Sequence, residues 1–150
     1  MFSKSLESAL SAMALLAEQH ASGRPLTAGE IASDRALHRP FVAKLLTALA
    51  QGGLVQSKPG RNGGFLLARE PAAISLLEIA SAVGYRARIR CCVFGPDYGD
   101  DAPRGHCGLH QEIVALRDQI ERFLGANTLA SFAAARPPGR RARRKTRKRR

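Results

Sequence analysis

A chain of 150 residues with 45% hydrophobic content and no tryptophan fits one domain, long enough to bury a core without disulfides or a structural metal. No apolar run approaches the roughly 20 residues of a membrane span. The formal charge of +12 is unevenly placed: residues 136–150, RPPGRRARRKTRKRR, hold ten of the 24 Lys and Arg and no acid, leaving 14 basic against 12 acidic side chains in the rest.

A run of that composition repels itself and buries nothing apolar, so it is expected to be disordered in the absence of a polyanion. It reads either as a solubilising extension or as an arm for non-specific nucleic-acid contact. Three cysteines, an odd number, do not make a disulfide framework and leave reactive or metal-binding thiols as the better reading.

Along the chain, Lys4 and the apolar ALSAMALLA (9–17) have the outline of a signal peptide. Glu7 and the serines at 3, 5, 8 and 11 interrupt it, and Leu6, Leu10, Met13 and Leu16 recur as one helical stripe. The expectation is a core helix in a cytoplasmic protein. Thr27-Ala-Gly-Glu30 has capping-box spacing and predicts a short helix to about Arg35.

Pro40 then suits the first turn of a third helix, with Phe41, Leu45, Leu46 and Leu49 on one face, Arg39, Lys44 and Thr47 elsewhere, and Gly52-Gly53 as the stop. Two helices, a tight turn and an outward basic face make a helix-turn-helix candidate. Leu54 to Ser57 and Phe65 to Leu67 read as two strands around PGRNGG, a hairpin that would form a wing. Ser75-Leu-Leu-Glu78 is a second capping box, opening a helix that ends at Gly84.

Periodicity disappears from Tyr85 to about His106, a length uncommon for a structureless connection inside a domain. It returns in HQEIVALRDQIERFLGANTLASF, where Ile113, Leu116, Ile120, Phe123 and Leu124 form a stripe. Such a helix either packs on its own core or forms a two-fold dimer seam, as regulators that read half-sites require.

The run GLVQSKPGRNGGFLLAREPAAISLLEIASAVG (53–84) resembles the IscR/NsrR-type family of winged-helix transcription regulators, also called the Rrf-two family. Its carriers are Gly-Leu-Val then Ser57, the wing Gly60-x-x-Gly63-Gly64 followed by Phe65, Leu67-Ala68-Arg69, Pro71, and Ile74-x-Leu76-x-Glu78-Ile79. TAGEIAS, PFVAKLLTAL and NTLASF extend the likeness over about residues 1 to 133.

The resemblance implies a mainly α fold with a small β-hairpin wing, divided as a winged helix-turn-helix at 1–84, a cysteine-containing sensor loop at 85–107, a dimerisation helix and terminal segment at 108–133, and the basic tail at 134–150. It implies a homodimeric regulator bound to a double-stranded DNA operator, a repressor and not an enzyme. His38, Arg39 and Lys44 are the reading-helix side chains able to reach a major groove, with Arg39 the base-reading candidate and Lys44 and Lys58 on phosphate. Ser57, Arg61, Asn62, Gly63 and Gly64 complete the expected DNA-contacting set.

Sensing members of the family place three cysteines before the dimer helix and hold an iron-sulfur cluster. Here Cys92-Val-Phe-Gly matches the first cysteine and Cys107-Gly-Leu-His110 the last, while the middle one is missing. Cys92, Cys107 and His110 are the implied ligands, with Cys91, or Glu7 of the partner subunit, as the fourth. That set suits a two-iron cluster better than a four-iron one, and it also suits zinc. A thiol-only switch between Cys92 and Cys107, a zinc enzyme and a basic nucleic-acid-packaging module are the competing readings.

Overall fold

The computed structural model describes residues 3–85 and 110–134. Helix α1 (Lys4–His20) starts where the Ser3 hydroxyl accepts from the Leu6 amide at 3.3 Å, and it supplies eight buried residues, from Leu6 to Leu16. So many buried positions place it at the centre. Helices α2 (Ala28–Arg35), α3 (Arg39–Gln51), α4 (Leu76–Ala82) and α6 (Leu129–Ala134) all pack on it.

Both capping boxes form. Thr27 and Glu30 satisfy each other's orphan amides at the start of α2, and Ser75 and Glu78 do the same for α4. Helix α2 ends on Ala36 in the left-handed region, φ +53 and ψ +41, with the Leu37 amide returning to the Ala32 carbonyl at 2.8 Å. That turn aims α3 across α2 and completes the helix-turn-helix.

Pro40 lies in the first turn of α3 and Gly52 caps its end. The buried face is Val42, Leu45, Leu46 and Leu49. Val42 therefore takes the place expected for Phe41, which is only partly buried at the core's edge. Each fully buried Leu in this cluster contributes about 1.5–3 kcal/mol of transfer energy.

Strands β1 (Val55–Lys58) and β2 (Gly64–Leu67) pair antiparallel from Val55 with Leu67 to Lys58 with Gly64. Strand β1 starts one residue later than expected because Leu54 closes the α3 turn, its amide bonded to the Leu49 carbonyl at 3.0 Å, and the added pair of Lys58 with Gly64 extends the hairpin by one residue toward its tip. Leu26, just before α2, bridges to Phe65 and adds a third rung beside β2.

A 3-10 turn at Pro71–Ala73 leads into α4, and Arg69 ties the two together by donating to the Ala73 carbonyl at 3.1 Å and to Glu78 at 2.7 Å. Helix α5 (His110–Ala126) packs on α4. At its end the Leu76 amide donates to Asn127 O at 2.9 Å and the Leu129 amide to Ile74 O at 2.8 Å, so the α5–α6 corner is bonded to the entrance of α4.

The apolar stripe of α5 divides between two environments. Leu124 is 1% exposed and Ile120 packs on the core, whereas Leu116 is 50% and Phe123 56% exposed. Successive helical residues lie about 100° apart, which puts Leu124 and Phe123 at opposite edges of the stripe. Among the described residues no helix is long and apolar enough to cross a membrane.

Candidate nucleic-acid interface

Two elements present exposed polar and basic side chains: the outward face of α3 and the tip of the wing. His38, Arg39 and Lys44 are all exposed. His38 occupies the cap position of α3 without making a side-chain capping bond. Thr47 is turned inward on its own helix, its hydroxyl donating to Ala43 O at 3.0 Å. The Arg39 guanidinium lies over the first turn of α2, its Nε 3.6 Å from where a side chain on Gly29 would begin.

On the wing, Ser57, Lys58, Arg61 and Asn62 are exposed, and the glycines have separable reasons. Gly60 adopts φ +106, a conformation L side chains rarely take. Gly63 is needed for space, because a Cβ there would sit 2.2 Å from the Lys58 carbonyl oxygen. A Cβ on Gly64 would sit 2.6 Å from the Leu26 carbonyl oxygen. Removing side chains at those two positions lets the hairpin close on itself and on Leu26.

Charge pairing differs between this surface and the helix ends behind it. Arg24 is paired with Glu30, Arg35 with Glu18 and Arg69 with Glu78. Arg39, Lys44, Lys58 and Arg61 form no ion pair or side-chain hydrogen bond among the described residues. Lys4 on α1 and Arg122 on α5 are likewise unpaired among the described residues; what sets the reading helix and the wing apart is that four unpaired cations gather there, where phosphate would be the partner.

The paired groups hold the scaffold. Hydrogen bonding from the Thr27 amide, then from its hydroxyl, with the Arg24 charge beside it, keeps the Glu30 carboxyl below its ordinary range. The Ser75 amide, followed by Arg69, does the same for Glu78. The carboxylates at the two helix starts are thereby held ionised, where they suit the positive end of the helix dipole.

Sequence reasoning missed three contributors: Leu26, Arg35 and Ala36. Arg35 is a helix residue whose side chain is 4% exposed. Glu18 accepts from it at 2.9 Å. The Asp34 carboxylate reaches 3.3 Å from its Nε but off the N–H direction, leaving that atom without a hydrogen bond. Ala36 was findable by counting, since a short helix followed at once by another needs a left-handed residue at its end.

Of the expected metal ligands, Cys91, Cys92 and Cys107 lie outside the described residues, as do the side chain of His110 and the basic run 136–150. Glu7 is described, exposed in the first turn of α1 and without a charged partner. That leaves its carboxylate available to a ligand. Among the described residues, no three His, Cys, Asp or Glu gather as a metal site. By donor chemistry, the thiolates, imidazole and carboxylate of the proposed set suit an iron-sulfur cluster or zinc.

The family model described as "Rrf2: Iron-dependent Transcriptional regulator" matches residues 2–135. A protein of Aquifex aeolicus (strain VF5), provisionally named as an HTH-type transcriptional regulator, is 32% identical over 129 residues, 86% of this chain and 88% of its own length. The HTH-type transcriptional regulator IscR of Xenorhabdus nematophila is 28% identical over 112 residues, 73% of this chain and 65% of its own length. Among solved structures, CymR, the global cysteine regulator of B. subtilis, aligns with a TM-score of 0.72 at 24% identity, covering 91% of this chain and 98% of that one. T. potens IscR aligns with a TM-score of 0.70 at 24% identity, covering 93% of each. The two structural likenesses bear on the fold, a mostly helical chain with a two-stranded wing.

Proposed function

The chain belongs to the Rrf2 family of transcriptional regulators, which are DNA-binding proteins and not enzymes, and we propose that it works as a cytoplasmic homodimer on a two-fold operator, as a repressor. The observation that carries the reading is the gathering of four unpaired cations on α3 and the wing. Arg39 and Lys44 on α3, with Lys58 and Arg61 on the wing, lack carboxylate partners while Arg24, Arg35 and Arg69 have them. In this reading α3 enters the major groove from its His38 and Arg39 end, and the wing lies along a phosphate backbone with Ser57, Asn62, Gly63 and Gly64 beside it.

Dimerisation is supported by the exposure of Leu116 and Phe123 on α5. A second copy covering that edge would remove both from water and set the distance between two reading helices. The basic run at 136–150 adds affinity for phosphate without sequence preference.

The loop before α5 is proposed as the sensor. Cys92, Cys107 and His110, with Cys91 or Glu7 of the partner subunit, would hold a two-iron cluster in preference to a four-iron cluster or zinc. Such a group, when bound, supplies redox- and nitric-oxide-sensitive metal-thiolate bonds. The chain's own part is to tie the loop to the start of α5, three residues after Cys107. A thiol-only switch between Cys92 and Cys107 is the second reading, motivated by Arg88, Arg90 and Arg104 in the same stretch of sequence, since cations beside a thiol favour the thiolate.

Fluorescence anisotropy on a duplex selected from random sequence tests the DNA reading. Lys58→Ala and Arg61→Ala should each weaken binding and lower the salt slope by about one, and Arg39→Ala should relax base preference. Retention of full affinity and preference in all three variants would overturn it. Anaerobic purification with iron, sulfide and zinc analysis separates the sensor readings: colourless, metal-free protein whose operator affinity follows thiol oxidation selects the thiol switch.

A further inference from the structure

One cavity is lined by no residue of α3 or the wing and reaches the turn of the helix-turn-helix. It has a volume of about 360 Å³ and is lined by Glu7, Ser11 and Ala14 of α1, by Asp34, Arg35 and Ala36 at the end of α2, and by Phe132 of α6. That volume is at the lower end of sites that enclose a small group. Arg35 contributes no free charge to it, since Glu18 answers its guanidinium at 2.9 Å. The carboxylates that line it are Glu7, with no charged partner among the described residues, and Asp34, 49% exposed and 3.3 Å from the Arg35 Nε without a hydrogen bond to it; with Glu18 they outnumber the one arginine. In a chain of net charge +12, this is a locally acidic pocket.

The chain itself carries the complementary group, and it leaves the fold beside this pocket. Helix α6 ends at Ala134, two residues beyond Phe132. Arg136, the first cation of the basic run, follows Phe132 by four residues, a span of at most about 14 Å, and Arg140 and Arg141 follow within a further five, adding at most about 18 Å. The pocket is therefore within reach of several arginines without any rearrangement of the helices.

From this we infer that the pocket is the docking site of the chain's own basic segment, residues 136–150, and that it receives one arginine side chain from it. The guanidinium pairs with Glu7 and Asp34 and donates to the Ser11 hydroxyl. Phe132, 38% exposed, offers a ring face to the cation, and the methyl groups of Ala14 and Ala36 cover the aliphatic stem. DNA phosphate competes with the two carboxylates for the same arginines, so the docked segment holds back non-specific binding until a duplex displaces it. Glu7 engaged in this way is not free to serve as a metal ligand, and the inference does not rest on the sensor reading.

Affinity of the full chain for a non-specific duplex at low salt tests the inference. Removing any two carboxylates strengthens DNA binding through net charge alone, so the comparison is between Glu7→Gln/Asp34→Asn and a charge-matched control, Glu70→Gln/Glu112→Gln. The pocket variant should bind about fivefold tighter than the control, and the difference should vanish when Arg136, Arg140 and Arg141 are also changed to Gln. Equal affinity of pocket variant and control overturns the proposal. A second measurement needs no pocket substitution: amide resonances of Glu7, Ser11, Ala14 and Ala36 should differ between the full chain and Arg136→Gln/Arg140→Gln/Arg141→Gln at low salt, and converge at high salt. Superimposable resonances at low salt also overturn it.

Discussion

Leu26 and Phe65 exchange both of their backbone hydrogen bonds, Leu26 N to Phe65 O at 3.0 Å and Phe65 N to Leu26 O at 2.8 Å. Leu26 immediately precedes the Thr27 cap of α2, so the wing is bonded to the start of the helix-turn-helix as well as to its own partner strand. The position of the wing relative to α3 is fixed through α2, by main-chain atoms that no surface substitution removes.

Gly64→Val attacks that relationship directly. The new Cβ would begin 2.6 Å from the Leu26 carbonyl oxygen, and separating the two chains breaks the pair of bonds. Crowding of this kind costs about 1–3 kcal/mol. Chemical denaturation should show that loss, and operator affinity should fall while non-specific affinity, supplied by residues 136–150, stays high. Unchanged stability and operator preference would remove the wing from its assigned role.

Ala36→Gly should act in the opposite direction. A left-handed non-glycine residue costs roughly 1–2 kcal/mol, whereas glycine's extra freedom in the unfolded chain costs about 0.5–1 kcal/mol. The balance favours glycine by up to about 1 kcal/mol. Thermal unfolding should show a higher midpoint.

The pH dependence follows from the two capping boxes. Glu30 and Glu78 have carboxyl pKa values lowered in the folded chain, chiefly by the Thr27 and Ser75 amides respectively. Groups depressed on folding contribute stability that is present above the unfolded value, about 4.3 for Glu, and is lost as pH falls through the folded value. Stability should therefore be flat above about pH 5 from these groups and decline below it. In Glu30→Gln/Glu78→Gln the acid-side decline measured by urea titration should be shallower.

Phe123→Asp tests the exposed edge of α5. Phe123 is 56% exposed while Leu124 beside it is 1% exposed, so a charge at 123 should leave the fold intact. Sedimentation should report a monomer, and operator affinity should fall by at least about tenfold as the second half-site is lost. Leu124→Asp should instead unfold the α4–α5 contact.

Most of the fold was legible because its signals were local. Thr27 with Glu30 and Ser75 with Glu78 each state a helix start within four residues, and Gly52-Gly53 states an end. The stripe of α5 was legible as a helix, but its division was not: Leu124 faces inward and Phe123 outward because of where α4 lies, and periodicity carries no information about that. Phe41 gave way to Val42 for the same reason.

The site was legible in part. Lys44, Lys58 and Arg61 could be chosen from their elements, but their distinction from Arg24 and Arg69 lies in carboxylates six and nine residues distant along the chain. The buried Arg35 reads in sequence like any surface arginine of a short helix, and only its packing against Glu18 on α1 sets it apart. Leu26 bonds to a residue 39 positions later, beyond the reach of any local pattern.

The pair of hydrogen bonds joining Ile74 and Leu76 to Leu129 and Asn127 makes α5 a lever with one clamped end. Its 17 residues span about 25 Å. A tilt of about 5° at the clamp therefore carries the His110 end through about 2 Å. The same clamp sits at the start of α4, which Arg69 in turn ties to the end of β2, so the proposed sensor stretch and the wing would be joined through one short chain of bonds.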